Sequence, residues 1–116
     1  MGMMLRKGEK IAMKGRTLTV TEVALDCLPR VRDHLIEMAK AGQTVTYGDL
    51  RRELELPYPT NGLGRLLDLL SADCFRRREP SLASLVVNAT TGEVGSDFDG
   101  DAVAERAMVF KHKHWS

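Results

Sequence analysis

Three aspartates are the residues of this sequence whose types and spacing come closest to a metal site. Asp97, Asp99 and Asp101 alternate in the stretch DFDGD, which resembles the start of a calcium-binding loop. Such a loop needs a glutamate at its last position, and Met108 stands there instead. We therefore predict that these aspartates serve turns and a helix cap.

The histidines do not form a zinc pattern. His34 stands alone in a helical stretch, and His112 and His114 lie near the end of the chain without a third ligand. A zinc ion is held by a set of protein ligands that this spacing does not complete. The sequence predicts no metal and no cofactor.

The two cysteines, Cys27 and Cys74, have no framework spacing. In a chain of 116 residues such a pair is typical of reduced thiols in the cytoplasm, where disulfides are rare. Cys74 follows leucines at helical spacing, so we expect a small core residue rather than a nucleophile. The sequence has no Ser-His-Asp order, phosphate-binding glycine loop or paired carboxylates, and it therefore predicts no enzyme.

The apolar runs are much shorter than a membrane span, and the N-terminus lacks the apolar stretch of a secretory signal. We expect a soluble cytoplasmic protein. No pattern in the sequence decides between a monomer and a dimer.

Segregated positive charge is the remaining feature that could bind a ligand. The net charge is +1, but residues 1–20 carry five basic side chains, Lys14 and Arg16 among them, against one glutamate. Arg76, Arg77 and Arg78 form a second basic group, residues 111–114 a third, and an acidic stretch follows position 92. This distribution indicates either a positive face for phosphates or solvated termini and a helix end.

The elements that carry these groups begin with a basic arm or short hairpin at residues 1–20, because KIAMKGRTLTV alternates weakly about Gly15. A first helix is predicted to start near Asp26 or Cys27, which would place Pro29 in its first turn, and to end at Gly42. Its inward residues are Leu28, Val31, Leu35 and Met38.

A second helix is predicted from the capping box of Thr46 and Asp49, and Pro57 ends it. Thr60 or Asn61 then caps a third helix. The inward residues of these two helices are Leu50, Leu54, Leu63, Leu66, Leu67, Leu70 and Cys74. Asn61, Arg65 and Asp68 form the polar side of the third helix, and Arg76–Arg78 fall in its last turn, where they favour the negative end of the helix dipole.

The C-terminal third predicts a buried strand at Ser81–Asn88, a turn at Thr90–Gly92 and a returning strand from Glu93. Asp101 caps a final helix within 101–115, whose Val103, Ala107 and Phe110 share one face. We expect Phe110 and Trp115 to fold back over the core.

This order of elements is that of a winged helix, a helix-turn-helix with a β-hairpin wing. We therefore predict one domain, residues 1–116, of the α+β class. It is a mostly helical winged helix at 26–98, with a C-terminal helix and an N-terminal arm or short hairpin.

Residues 44–98 resemble the C-terminal winged-helix domain of the alkylguanine-DNA alkyltransferases and the alkyltransferase-like proteins. In that family a TYG helix start precedes a recognition helix with an RAVGxA run, and here TYG stands at residues 46–48 and NGLGRL at 61–66. A strand with a PCHRV active site and a GxxG hairpin then follow, where this chain has PSLASLVVN and TGEVG. PSLASLVVNATTGEVG is also similar to a segment of small uncharacterised bacterial and phage proteins.

The reactive positions of that family are changed in this sequence. Ser84 stands in place of the alkyl-accepting cysteine, Leu85 in place of its activating histidine and Val86 in place of the arginine. Alkyl transfer needs a thiolate beside a base, so the resemblance implies no dealkylation here. Asn61 replaces the arginine that the family inserts into the base stack, which argues against base flipping.

The resemblance leaves a non-enzymatic protein that binds double-stranded DNA through the third helix, the basic arm and the wing. The expected contacts are Tyr47, Asn61, Arg65, Arg76, Arg77, Arg78, Arg16 and Lys14. Tyr47 either contacts a phosphate, as the family implies, or packs on Leu50. The alternative function is a protein interaction module on the same fold, which docks on a partner protein and modulates it.

Overall fold

The computed structural model describes residues 3–13, 15–59, 62–88, 102–113 and 115, with the backbone alone at Met13 and Arg16. Within these ranges the chain is α+β and mostly helical, as predicted. The helices are α1 (Glu22–Ala41), α2 (Tyr47–Leu54), α3 (Leu63–Arg76) and α4 (Ala102–Lys111). The strands are β1 (Lys10–Met13), β2 (Arg16–Thr19), β3 (Val45–Thr46) and β4 (Val86–Val87). The predicted wing turn, returning strand and Asp101 cap lie outside the described residues.

The N-terminal segment is a hairpin, which confirms one of the two predicted alternatives. β1 and β2 pair antiparallel with Ile11 opposite Leu18, and both of these side chains are buried. Gly15 lies between the strands at φ 75°, in the left-handed region that glycine adopts without strain. The hairpin is therefore part of the hydrophobic core rather than a solvated arm.

α1 begins at Glu22, so the prediction of a start near Asp26 or Cys27 was wrong. The Thr21 side chain caps the helix by accepting from the Ala24 amide at 3.1 Å. Pro29 consequently lies inside the helix, where it removes one backbone hydrogen bond. Burial of Ala24 and the residues that follow offsets this loss. The predicted end is confirmed, since Gly42 closes the helix at φ 67°.

α2 and α3 begin differently, the first with a side-chain cap and the second without one. The Thr46 side chain accepts from the Asp49 amide at 3.1 Å, which confirms Thr46 as the cap of α2. The Asp49 carboxylate pairs with Arg52. α3 begins after Gly62, which makes no side-chain cap, and the predicted caps Thr60 and Asn61 lie outside the described residues. The Gly62 amide donates to the Pro59 carbonyl at 2.8 Å, in the turn that precedes the helix.

The predicted strand at Ser81–Asn88 is mostly a different element. Leu82–Leu85 form a 3-10 helix, and only Val86–Val87 are extended, as β4. β4 pairs parallel with β3, with Val45 opposite Val86. All the residues from 81 to 87 are buried, and a continuous apolar run in the core does not by itself distinguish a strand from a helical turn.

The buried residues form one cluster that takes in the hairpin, all four helices and the 3-10 helix. α4 is confirmed as a helix, but the face expected to pack inward is exposed. Val109 is its buried anchor, whereas Val103 is 64% and Phe110 38% exposed. Trp115 packs against the core as expected, edge to face with the His112 ring. Among the described residues, no helix combines the length and apolar character needed to cross a bilayer.

Candidate interaction surface

The outer face of α3, which a recognition helix would present to DNA, is largely covered. Nine of its 14 residues are buried, including Asp68, Leu69 and Ala72. The prediction that Asp68 lies on a polar face was therefore wrong. The β1–β2 hairpin lies across this face: β2 and α3 together line one cavity, and β1 and α3 line another.

The segment before the hairpin is tied to the end of α3 by three polar contacts. The Met4 amide donates to Asp73 Oδ1 at 2.6 Å. Arg76 donates to the Met4 carbonyl at 2.9 Å and pairs with Glu9 at 2.5 Å. Because the Glu9 carboxylate accepts a hydrogen bond from Arg76, its pKa is lowered from the ordinary 4.5. These contacts hold the hairpin on α3.

The three consecutive arginines that the sequence predicts as DNA contacts, Arg76–Arg78, have different surroundings. Arg76, the only one of the three within α3, is engaged by Glu9, and Arg77 lies against Asp73, with Nε 2.8 Å from Oδ2. The Arg77 side chain is only 6% exposed, so it cannot reach a phosphate without leaving the protein interior. Arg78 follows the helix in the left-handed conformation and is exposed. The three arginines therefore do not form one basic patch.

Among the predicted DNA contacts whose side chains are described, Arg65 is both exposed and part of a cavity lining. It is exposed in the first turns of α3 and lines a cavity of about 300 Å³ between the hairpin and α3. Thr17, Thr19 and Tyr58 line the same cavity. Burial raises the pKa of the Tyr58 hydroxyl, although a hydrogen bond with Thr21 opposes this.

Of the four other predicted contacts, Tyr47 is the one whose side chain the structure describes. Tyr47 begins α2 and is partly buried against the core, in line with the packing alternative. Arg16 lies in β2, and its side chain is not described. Asn61 and Lys14 lie outside the described residues.

The three positions that the resemblance aligns with an alkyltransferase active site lie inside the core. Ser84 has no exposed surface, and its hydroxyl donates to the Ser81 carbonyl at 2.8 Å. Leu85 and Val86 are equally buried. The nearest thiol in sequence, Cys74, is also buried, and desolvation raises its pKa to about 11. The structure therefore presents no accessible nucleophile there. No group of three or more metal-binding side chains occurs in the described part of the chain.

Two apolar features were missed by the sequence reasoning. Phe75 is 82% exposed and lines the cavity of about 580 Å³ between β1 and α3. Its position directly after Cys74, outside the leucine stripe of α3, was the available signal. The second feature is the exposure of the apolar face of α4. The spacing of Val103 and Phe110 predicts a shared face correctly, but spacing does not tell whether that face meets the core or solvent.

The polar residues of the larger cavity come from several elements. Ser71 and Ser81 share a hydrogen bond of 2.7 Å between their hydroxyls. Glu105 of α4 accepts from the Ser81 amide at 3.4 Å, and Glu79 also lines the cavity.

Comparison with protein-family models, with curated proteins and with solved structures gave no match.

Proposed function

We propose that this chain is a protein interaction module that docks on a partner protein through the C-terminal half of α3 and the neighbouring cavity, and that it acts by modulating that partner. The exposure of Phe75, 82% of its surface, is the observation that carries the proposal. An aromatic side chain in water beside a concave surface is the typical anchor of a protein interface.

The exposed side of α4 supports the same function. Val103 and Phe110 share one face of the helix and are 64% and 38% exposed, with the exposed Ala107 between them. A contiguous exposed apolar face marks interaction sites more often than free surface. The covered face of α3 points the same way, because a helix under a hairpin has little surface left with which to read a DNA groove.

The test is capture of a partner by the full chain from a lysate of the source cells, followed by binding of the purified partner. Phe75→Ser should weaken this binding by about tenfold or more, as expected for a central aromatic anchor. The matched control is Val23→Ser, which changes an apolar residue of α1 that is 48% exposed. Equal binding by the Phe75 variant and the wild type would refute the proposal.

Arg65 supports a second candidate, contact with duplex DNA through the first turns of α3. Its guanidinium has no ion pair among the described residues and lines a cavity with hydroxyl groups, which suits a phosphate. Affinity for a random duplex should then fall steeply between low and moderate salt, and Arg65→Ala should reduce it while Arg78→Ala leaves it unchanged. Absence of binding at low salt would remove this candidate.

A further inference from the structure

Within the described part of the chain, no strand covers the outer edge of β1. The Val20 amide donates to the Glu9 carbonyl at 2.8 Å, and the register from there places Lys10 opposite Thr19 and Ala12 opposite Thr17. Antiparallel pairs alternate between hydrogen-bonded and non-bonded positions, so Lys10 and Ala12 direct their amide and carbonyl groups away from β2. None of these groups has a backbone partner among the described residues.

The larger cavity runs along this edge. Three consecutive residues of β1, residues 10–12, line one side of it, and Ala72, Phe75 and Arg76 of α3 line the other. Contact with consecutive residues means that the cavity follows the strand backbone, because side chains of neighbouring residues point to opposite faces. Its volume of about 580 Å³ accommodates a short extended segment of chain.

Two charged groups in the cavity lining, Lys10 and Glu105, have no ion partner among the described residues. The Lys10 ammonium is drawn across the hairpin to Thr19 Oγ1 at 3.3 Å, and Arg76 is paired with Glu9. Glu79 is paired with Arg32 at 2.8 Å. Glu105 is left with only the Ser81 amide among the described residues, at 3.4 Å. The Lys10 ammonium is thus held on the β2 side, whereas Glu105 is joined through Ser81 to Ser71 of α3, one turn before Phe75. The Glu105 carboxylate and the exposed Phe75 ring therefore lie at the same end of the cavity, and both attract a cation.

We propose that an extended peptide segment of the partner protein adds as a strand to the free edge of β1 and places a lysine or arginine between Glu105 and Phe75. This inference rests on the proposed function and names the element and the chemistry of docking. Backbone hydrogen bonds to Lys10 and Ala12 provide the alignment of the segment, and the cation provides its selectivity.

The probe is a synthetic peptide, acetyl-Thr-Val-Lys-Val-Thr-amide, titrated into the nitrogen-15-labelled full chain. Matched peptides replace the lysine with glutamate, or carry N-methyl groups that block the backbone donors of one edge or of the other. NMR follows the amides of Lys10 and Ala12 and their hydrogen exchange. Glu105→Gln is the informative variant, and Glu55→Gln, on the exposed C-cap of α2, is its control.

We expect the lysine peptide to shift and protect the Lys10 and Ala12 amides and to bind about fivefold tighter than the glutamate peptide, a ratio that Glu105→Gln removes. The peptide whose N-methyl groups block the edge that faces β1 should lose binding, and the peptide methylated on the opposite edge should retain it. Equal effects of both, no preference for lysine, or binding that leaves the β1 amides unchanged would overturn the inference. Protection of these amides by self-association at high protein concentration would overturn it too, because the occupant would then be a second copy.

The two proposals fail separately. A purified partner whose binding depends on Phe75 but leaves exchange at Lys10 and Ala12 unchanged would keep the proposed function and remove the strand addition. A peptide that binds the edge as described while no partner depends on Phe75 would remove the function and leave the site.

Discussion

Arg32 and Glu79 form an ion pair inside the protein, with Arg32 Nη2 2.8 Å from Glu79 Oε1 and side chains that are 5% and 3% exposed. Arg32 Nη1 also lies 3.9 Å from Asp73 Oδ2, the oxygen that Arg77 contacts. Two arginines thus balance two carboxylates where an unpaired charge would be costly. The network joins α1 to the end of α3 and to the segment that leads into the 3-10 helix.

Removal of one partner from this network should destabilise the fold strongly. Arg32→Leu leaves Glu79 buried without its cation, and we expect the free energy of unfolding to fall by about 3–5 kcal/mol. Urea denaturation followed by circular dichroism measures the change. Arg32→Leu combined with Glu79→Leu removes one charge of each sign, so the double variant should lose less than the single variant.

The exposed pair of Lys7 and Glu22 provides the control for this prediction. Its atoms are 3.4 Å apart, but the two side chains are 68% and 72% exposed. Lys7→Ala should therefore change stability by less than about 1 kcal/mol. If Arg32→Leu proved as mild as Lys7→Ala, the network would not be closed to solvent as described.

The hairpin should behave as part of the core rather than as an arm. Leu18→Ala empties a site that is 5% exposed, and we expect a loss of about 2–5 kcal/mol. Thr17→Ala changes the exposed neighbour on the same strand and should cost about 0.5 kcal/mol or less. Thermal unfolding of both variants tests this, and similar stabilities would show that the hairpin is detached from the core.

Local signals predicted the elements of this fold better than their relative placement. The Thr46 cap and the Gly42 stop were read correctly because each depends on a few adjacent residues. The predicted start of α1 was wrong because it placed Pro29 in the first turn, whereas tertiary burial outweighs the loss of one hydrogen bond inside the helix. Apolar spacing placed Val103 and Phe110 on one face of α4, but spacing alone does not tell which face meets the core.

The candidate surface was less predictable for the same reason. Arg76 and Arg77 look like a basic cluster in sequence, yet their partners, Glu9 and Asp73, are set by the packing of the hairpin on α3. The cover over α3 arises from contacts between residues far apart in the chain. The place of Phe75 outside the leucine stripe indicates exposure, but the cavity beside it could not be predicted because distant residues of β1 form its other wall.

Cys74 should be unreactive in the folded protein. Burial raises its pKa to about 11, so below pH 9 it is a desolvated neutral thiol. In the Cys27→Ala chain, which retains this one thiol, we expect modification by a disulfide reagent at pH 8 to be about a hundredfold slower than in urea. Rapid modification without denaturant would contradict the burial.

The raised pKa of Cys74 also predicts a loss of stability at high pH. Because the folded-state pKa lies above the ordinary value of 9.0, the contribution of this group is fully present below pH 9 and is lost as the pH rises toward 11. Urea midpoints measured between pH 8 and 10.5 should therefore fall more for the wild type than for Cys74→Ala. Parallel curves for the two proteins would refute this.

The Glu9–Arg76 contact should make the seating of the hairpin sensitive to acid. Arg76 lowers the pKa of Glu9 below 4.5, with help from the Arg6 amide, which donates to the carboxylate at 3.1 Å. A lowered folded-state pKa stabilises the protein at pH values above the ordinary one, and this contribution is lost as the pH falls through the lowered value. Carbon-13 NMR of the Glu9 carboxyl group measures it directly. Arg76→Gln should move the pKa back toward 4.5, whereas Arg78→Gln, which alters an exposed arginine nearby in sequence, should leave it in place; a Glu9 pKa that ignores Arg76→Gln would show that the hairpin is not held on α3 by this pair.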